Sequence, residues 1–111
     1  MSPNELGLVA KHVMKLLVER RFDELEKATN GTRLSADDME AALDDMGSAL
    51  VMPPDNVWRD LRISPVRNWP GAFNVKLDLW TARGRTSNSV ELTVHSKDGA
   101  PVIEVDDIIV S

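Results

Sequence analysis

Few side chains in this chain have the type and spacing for chemistry. Cysteine is absent, which removes disulfides, thiolate zinc sites and cysteine nucleophiles. His12 and His95 are the only histidines. A nucleophile–base–acid triad needs a histidine held between two partners. His12 falls in a predicted helix beside Val13, and His95 on the polar side of a predicted strand. Neither has such partners in sequence, so both are read as structural or solvent-facing. Three pairs of acids, Asp37-Asp38, Asp44-Asp45 and Asp106-Asp107, have the hard oxygen chemistry of a divalent-cation site. Neighbours on a helix diverge by about 100°, so the first two pairs cannot converge on one ion. The first pair reads as a helix start and the second as a solvated face. A bulge could turn Asp106 and Asp107 to one face, but no loop of alternating oxygen ligands surrounds them. No glycine-rich phosphate loop of either common spacing occurs. The expectation is therefore no catalytic residue, no metal and no cofactor. Arg83-Gly84-Arg85-Thr86 is basic, and reads as a solvated hairpin tip or as a contact for an anionic group.

The aromatic residues carry more. The chain has three tryptophans and no tyrosine. Trp80 is out of phase with Phe73, Val75, Leu77 and Leu79, which places it on the face away from the core. Large aromatics on an outer face often anchor a partner. Two other readings stay open: Trp80 covers a neighbouring strand, or a bulge shifts its phase and buries it. Trp58 and Trp69 flank the first strand and are expected to close the ends of the core.

Helices come first. Ser2, Pro3 and Glu5 form a capping box with proline at the first helical position. Leu6, Val9, Val13, Leu16 and Leu17 follow at helical spacing, and the helix is expected to end near Arg20. A second helix over 23–29 offers Phe22 and Leu25 to the core, stopped by Asn30-Gly31. A third begins after Ser35, with Asp37 and Asp38 in its first turn and Met39, Leu43 and Met46 as its stripe. Gly47 and Pro53-Pro54 close this half, apart from one further turn over 55–60. From Leu61 the period becomes two. Leu61, Ile63 and Val66 make an edge strand interrupted by Pro65. Phe73–Trp80 is the clearest strand, 82–88 a polar hairpin loop, and Val90, Leu92 and Val94 the inward face of the next strand. Asp98-Gly99 is a hairpin turn. The last strand, 102–110, needs a bulge at Asp106-Asp107 to bring Ile103, Val105, Ile108 and Val110 onto one face.

A chain of 111 residues is one domain, 1–111, helical over 1–56 and sheet over 57–111. The apolar fraction of 42% and charged fraction of 28% are globular. No apolar run approaches the ~20 residues of a membrane helix, and the start lacks a secretory pattern, so the expected location is cytoplasmic. The net charge is −5, concentrated in 1–56, where 11 acids face 6 bases. Residues 34–58 hold six acids and no base. Nucleic acid and membrane are therefore not expected as direct partners. Burying one apolar sheet face and matching helical stripes calls for an α+β fold. N-terminal helices then pack on one face of a four-stranded antiparallel curved sheet. That outline resembles the cystatin/nuclear-transport-factor type in a short form.

The segments Phe22-Asp23-Glu24-Leu25, Arg33-Leu34-Ser35, Leu77-Asp78-Leu79-Trp80-Thr81, Val90-Glu91-Leu92-Thr93 and Glu104-Val105-Asp106-Asp107-Ile108 resemble a small uncharacterised family of bacterial α+β proteins. In size and acidity the chain is also similar to immunity proteins, which neutralise toxin domains. That likeness implies a non-enzymatic binding protein whose protein partner is a basic, nuclease-type toxin domain. Asp37, Asp38, Glu40, Asp44, Asp45, Trp80, Arg83 and Arg85 would be its partner contacts. The alternatives are a ligand-binding or enzymatic pocket within the curved sheet, or an obligate homodimer through the outer sheet face.

Overall fold

The computed structural model describes residues 2–29 and 33–110. Three helices, α1 (Pro3–Val18), α2 (Phe22–Ala28) and α3 (Ala36–Met46), precede a 3-10 turn over Asp55–Arg59. Four strands follow: β1 (Arg62–Pro65), β2 (Ala72–Thr81), β3 (Gly84–Lys97) and β4 (Ala100–Ile109). They form one antiparallel curved sheet in the order β1-β2-β3-β4, with the helices N-terminal, as the sequence predicts. Among the described residues, no helix is long and apolar enough to cross a membrane.

α1 and α3 form where cap and apolar stripe agree. Ser2 caps α1 by accepting from the Glu5 N–H at 3.2 Å, and Pro3 holds the first position. The Glu5 carboxylate accepts from the Ser2 hydroxyl, so the expected two-armed box is not what holds this end. The two-armed box is at α3, where Ser35 accepts from the Asp38 N–H and Asp38 accepts from the Ser35 N–H. Gly47, at φ 72°, ends α3. The expected stop at Asn30-Gly31 lies outside the described residues. α2 begins at Phe22, one residue earlier than the pattern suggests.

α1 ends at Val18, slightly before Arg20, in a Schellman turn. The N–H of Arg21 donates to the Leu16 carbonyl at 2.9 Å and the N–H of Arg20 to Leu17 at 3.1 Å. The left-handed residue this turn requires is Arg20, at φ 56°, where glycine is usual. The side chain explains the choice. Arg20 donates to Asp44 of α3 at 2.6 Å, and its guanidinium lies 5.2 Å from the Phe22 ring centroid. One strained residue thus ties the end of α1 to α2 and α3. Beside it, Arg21 donates to Glu19 and Glu24, and these bonds raise its pKa above the ordinary arginine value.

The core is the apolar face of the sheet closed by the helices. Leu6, Ala10, Val13, Met14, Leu16 and Leu17 of α1 join Leu25, Met39 and Leu43, and meet Val75, Leu77, Leu79, Val90, Leu92, Val94, Ile103, Val105 and Ile108. Trp58 packs against this cluster, but Trp69 does not close the core. It is 41% exposed and contacts His95, with ring centroids 4.6 Å apart.

The strands differ from expectation in two places. β1 leaves Leu61 and Val66 outside it, with Pro65 opposite Phe73 at its end instead of interrupting it. The predicted loop over 82–88 shrinks to Ala82-Arg83, because Thr81 pairs with Gly84 and β3 starts there. Residues 84–88 extend a two-stranded tip and need no apolar alternation. Thr86 accommodates the irregular register by donating to the Leu79 carbonyl at 2.7 Å. The bulge in β4 occurs as expected: Glu91 pairs with Asp107 and Leu92 with Val105, leaving Asp106 as the extra residue. Asp98 and Gly99, at φ 53° and 80°, make the β3–β4 turn.

Arg20 yields a stability prediction. Arg20→Gly and Arg20→Ala both remove the Asp44 and Phe22 contacts, but only alanine keeps the left-handed penalty. Urea melts should find the glycine variant about 1 kcal/mol more stable than the alanine variant.

Candidate functional site

The outer face of the sheet concentrates polar and aromatic groups. Alternation along β2 sends Asn74, Lys76, Asp78 and Trp80 outward, because Val75, Leu77 and Leu79 are taken by the core. Thr93 and Asn74 are opposite each other, as are Lys76 and Glu91, and Trp80 and Arg85. Two clefts lie on this face. One, of about 280 Å³, is lined by Arg62, Ser64, Asn74, Lys76 and Glu91. The other, of about 300 Å³, is lined by Asn56, Val57, Asp60, Asp78, Trp80 and Arg85. The Arg62–Asp78 pair, at 2.6 Å, contributes one residue to each cleft and so stands between them.

Trp80 keeps its expected outward orientation but is only half exposed. Its indole N–H is shielded from water and has no acceptor among the described residues. A bulge does not move it inward: Leu79 remains wholly buried on the core side. Arg85 is exposed, as is Arg83 in the turn. Among the described residues, neither has a carboxylate within ion-pair distance.

The bulge builds a second polar cluster on the same face. Thr93 Oγ1 lies 2.5 Å from Asp106 Oδ2 and 3.1 Å from Asn74 Oδ1. A hydroxyl has one proton, and the shorter, charge-assisted contact to the carboxylate takes it. The Asn74 amide then serves Thr93 as donor, once a half-turn exchanges its oxygen and nitrogen. Asp106 Oδ1 is buried without a hydrogen bond, and Arg33 Nε approaches it at 3.9 Å. Asp107 is exposed, so the bulge half-buries one acid of this pair and leaves its neighbour in solvent. Among the described residues, no group of three potential ligands is placed to hold a metal ion.

The predicted acidic contacts sit elsewhere, on α3. Asp37, Asp38, Glu40, Asp44 and Asp45 are all exposed. They are not equivalent. Asp38 is committed to the capping box and Asp44 to Arg20. Asp37, Glu40 and Asp45 have no cation within ion-pair distance among the described residues. Sequence reasoning missed the Arg20–Asp44 pair because it spans 24 positions, and no local pattern signals such a contact. It also missed the Thr93–Asp106 contact, although the expected bulge placed Asp106 correctly. His12 is exposed, and His95 contacts Trp69. The two histidines do not enter either cleft.

Thr93 carries the outer cluster, so it gives the sharper test. Thr93→Val keeps the shape and leaves Asp106 and Asn74 without their shared partner. Denaturant melts should show a loss of about 1–3 kcal/mol, largely restored in Thr93→Ser.

No curated protein and no solved structure matches the chain. A family model does, over residues 14–111, from the last five residues of α1 through the whole sheet and both outer clefts. On that match the chain belongs to the family described as Domain of unknown function (DUF7668).

Proposed function

We propose that this protein is a non-enzymatic binding protein that acts in the cytoplasm as an immunity protein, neutralising a basic, nuclease-type toxin domain by direct contact. The observation that carries the reading is the acidic display of α3. Residues 34–58 contain six acids and no base, and α3 holds five of them in solvent. Asp37, Glu40 and Asp45 remain uncompensated after capping and the Arg20 pair are counted. A protein that binds phosphates presents the opposite sign. An acidic helix steers the encounter with such a surface and competes with its nucleic acid. The side chains that fill the inner sheet face, from Val75 to Val105, are apolar and packed against α1. This supports a surface-mediated role over chemistry in the interior.

The experiment is neutralisation. A nuclease-type toxin domain, sought first among the genes adjacent to this one, should be neutralised on co-expression so that growth is rescued, and the purified proteins should associate. The triple variant Asp37→Lys, Glu40→Lys, Asp45→Lys leaves the capping box and the Arg20–Asp44 pair intact. It should associate at least tenfold more slowly at low salt, with the deficit shrinking as salt rises. Its stability should fall only by the dipole contribution of Asp37, about 0.3–1 kcal/mol. Unchanged kinetics in the folded variant would remove α3 from the interface, and failure to protect would remove the immunity reading.

A further inference from the structure

We infer that the outer face of the sheet pairs with the same face of a second copy of this chain, forming a reversible two-fold dimer. The inference goes beyond the neutralisation reading. It leaves α3 free, because Met39 and Leu43 hold that helix on the core side of the sheet. What carries it is the order of charge across the strands. Arg62 of β1 is opposite Lys76, Lys76 is opposite Glu91, and Glu91 is opposite Asp107 of β4. Their neighbours Val75, Leu77, Val90, Leu92 and Ile108 are buried in the core, so the row faces outward. It crosses all four strands and runs positive, positive, negative, negative.

Within one copy this order is unfavourable. Arg62 beside Lys76 and Glu91 beside Asp107 place like charges on adjacent strands. Arg62 is relieved by Asp78 at 2.6 Å. Lys76, Glu91 and Asp107 have no ion-pair partner among the described residues.

Against itself the row is complementary. Consider a two-fold axis lying in the interface, along the strands between β2 and β3. It sets β1 over β4 and β2 over β3 of the second copy, and reverses each row without moving it along the strands. Lys76 then faces the second copy's Glu91, Arg62 faces its Asp107, and each contact occurs twice. An axis running across the strands would set Arg62 on Arg62 and Asp107 on Asp107, so the charges choose one packing. The same rotation brings Trp80 over Arg85 of the second copy, since these two are cross-strand partners. Asp60 and Arg85 line one cleft there without pairing. A second copy of that cleft answers both signs, which a ligand of single charge does not. Two exposed apolar side chains border the face, Trp69 against His95 and Ile109 opposite Ser89. Four strands about 4.8 Å apart, over ten residues of about 3.3 Å, give roughly 600 Å² per copy. That is under the about 800 Å² of a standard interface, and its centre is charged, so the dimer is reversible and not obligate.

The test is sedimentation equilibrium of the full chain from micromolar to millimolar concentration, which should fit a monomer–dimer equilibrium. Lys76→Glu and Glu91→Lys should each weaken self-association about tenfold or more, because like charges then meet twice. An equimolar mixture of the two variants should associate again, since one copy presents two acids and the other two bases. Thermal melts establish that each variant folds. Dilution of the native chain, followed by ¹H–¹⁵N NMR, gives a reading that needs no variant: the amides of Lys76 and Glu91 should move and those of Asp37 and Glu40 should not. A monomer at millimolar concentration, unchanged association in either folded reversal, a mixture that stays monomeric, or dilution shifts confined to α3 would overturn the dimer. Neutralisation is tested on α3, whose triple variant should dimerise like the native chain, so either proposal can fail while the other stands.

Discussion

The structure depends on α1 covering one face of a four-stranded meander. An antiparallel sheet of this size has an apolar side that it cannot bury against itself. Here Leu77, Leu79, Val90, Leu92 and Val94 are at most 1% exposed, and α1 meets them with Leu6, Val13, Met14, Leu16 and Leu17. Each fully buried aliphatic side chain contributes about 1.5–3 kcal/mol. The remaining features serve this contact. The Schellman turn at Arg20 reverses the chain so that α2 and α3 extend the cover. The close approach of Gly7 to the Trp58 carbonyl, where an added Cβ would sit at 3.1 Å, lets the 3-10 turn press against the same helix. The bulge at Asp106 keeps Ile108 inward after Val105.

Covering one face leaves the other to water, and that division makes a polar site affordable without disturbing the core. Each outward residue of β2 alternates with a core residue, so Trp80 and Asp78 are held in place by the burial of Leu79 and Leu77. The outer side chains are therefore positioned by a rigid sheet rather than by a loop. The β2–β3 tip goes further. Its residues, from Gly84 to Asn88, pair with β2 or adjust its register, and this fixes Arg85 opposite Trp80. Reading 82–88 as a loop would have left that arginine on a mobile tip.

Much of this was legible in the residues, for identifiable reasons. Period-two runs such as Val90-Leu92-Val94 and the turn pair Asp98-Gly99 encode strand and hairpin locally. The break in phase at Asp106-Asp107 encoded the bulge, because no other arrangement returns Ile108 to the core. The outward placement of Trp80 followed from the same arithmetic. The tip over 84–88 was not legible, since it has no buried face and its pairing is set by β2. Trp69 looked like a core cap, yet it contacts His95 outside the core cluster. The roles of Asp44 and Asp38 were hidden in a different way. Both are exposed acids on one helix, and only the Arg20 contact and the capping geometry separate them from Asp37, Glu40 and Asp45.

That separation bears on how charge in this protein should be understood. A run of acids invites treatment as a uniform surface, but two of the five on α3 are already used to hold the helix. Asp38 satisfies a backbone donor, and Asp44 neutralises the cation at the end of α1. Reversing them would alter stability as well as surface potential, so any binding effect would be confounded. The same accounting applies on the outer sheet face. Arg62 and Asp78 cancel, which leaves Arg83 and Arg85 against Asp60 around Trp80. The net charge of −5 therefore describes neither region. The charge left after internal pairing is negative on α3, while the hairpin tip carries Arg83 and Arg85. Two regions of unlike charge on one rigid sheet-and-helix scaffold give the molecule a direction that its net charge alone does not describe.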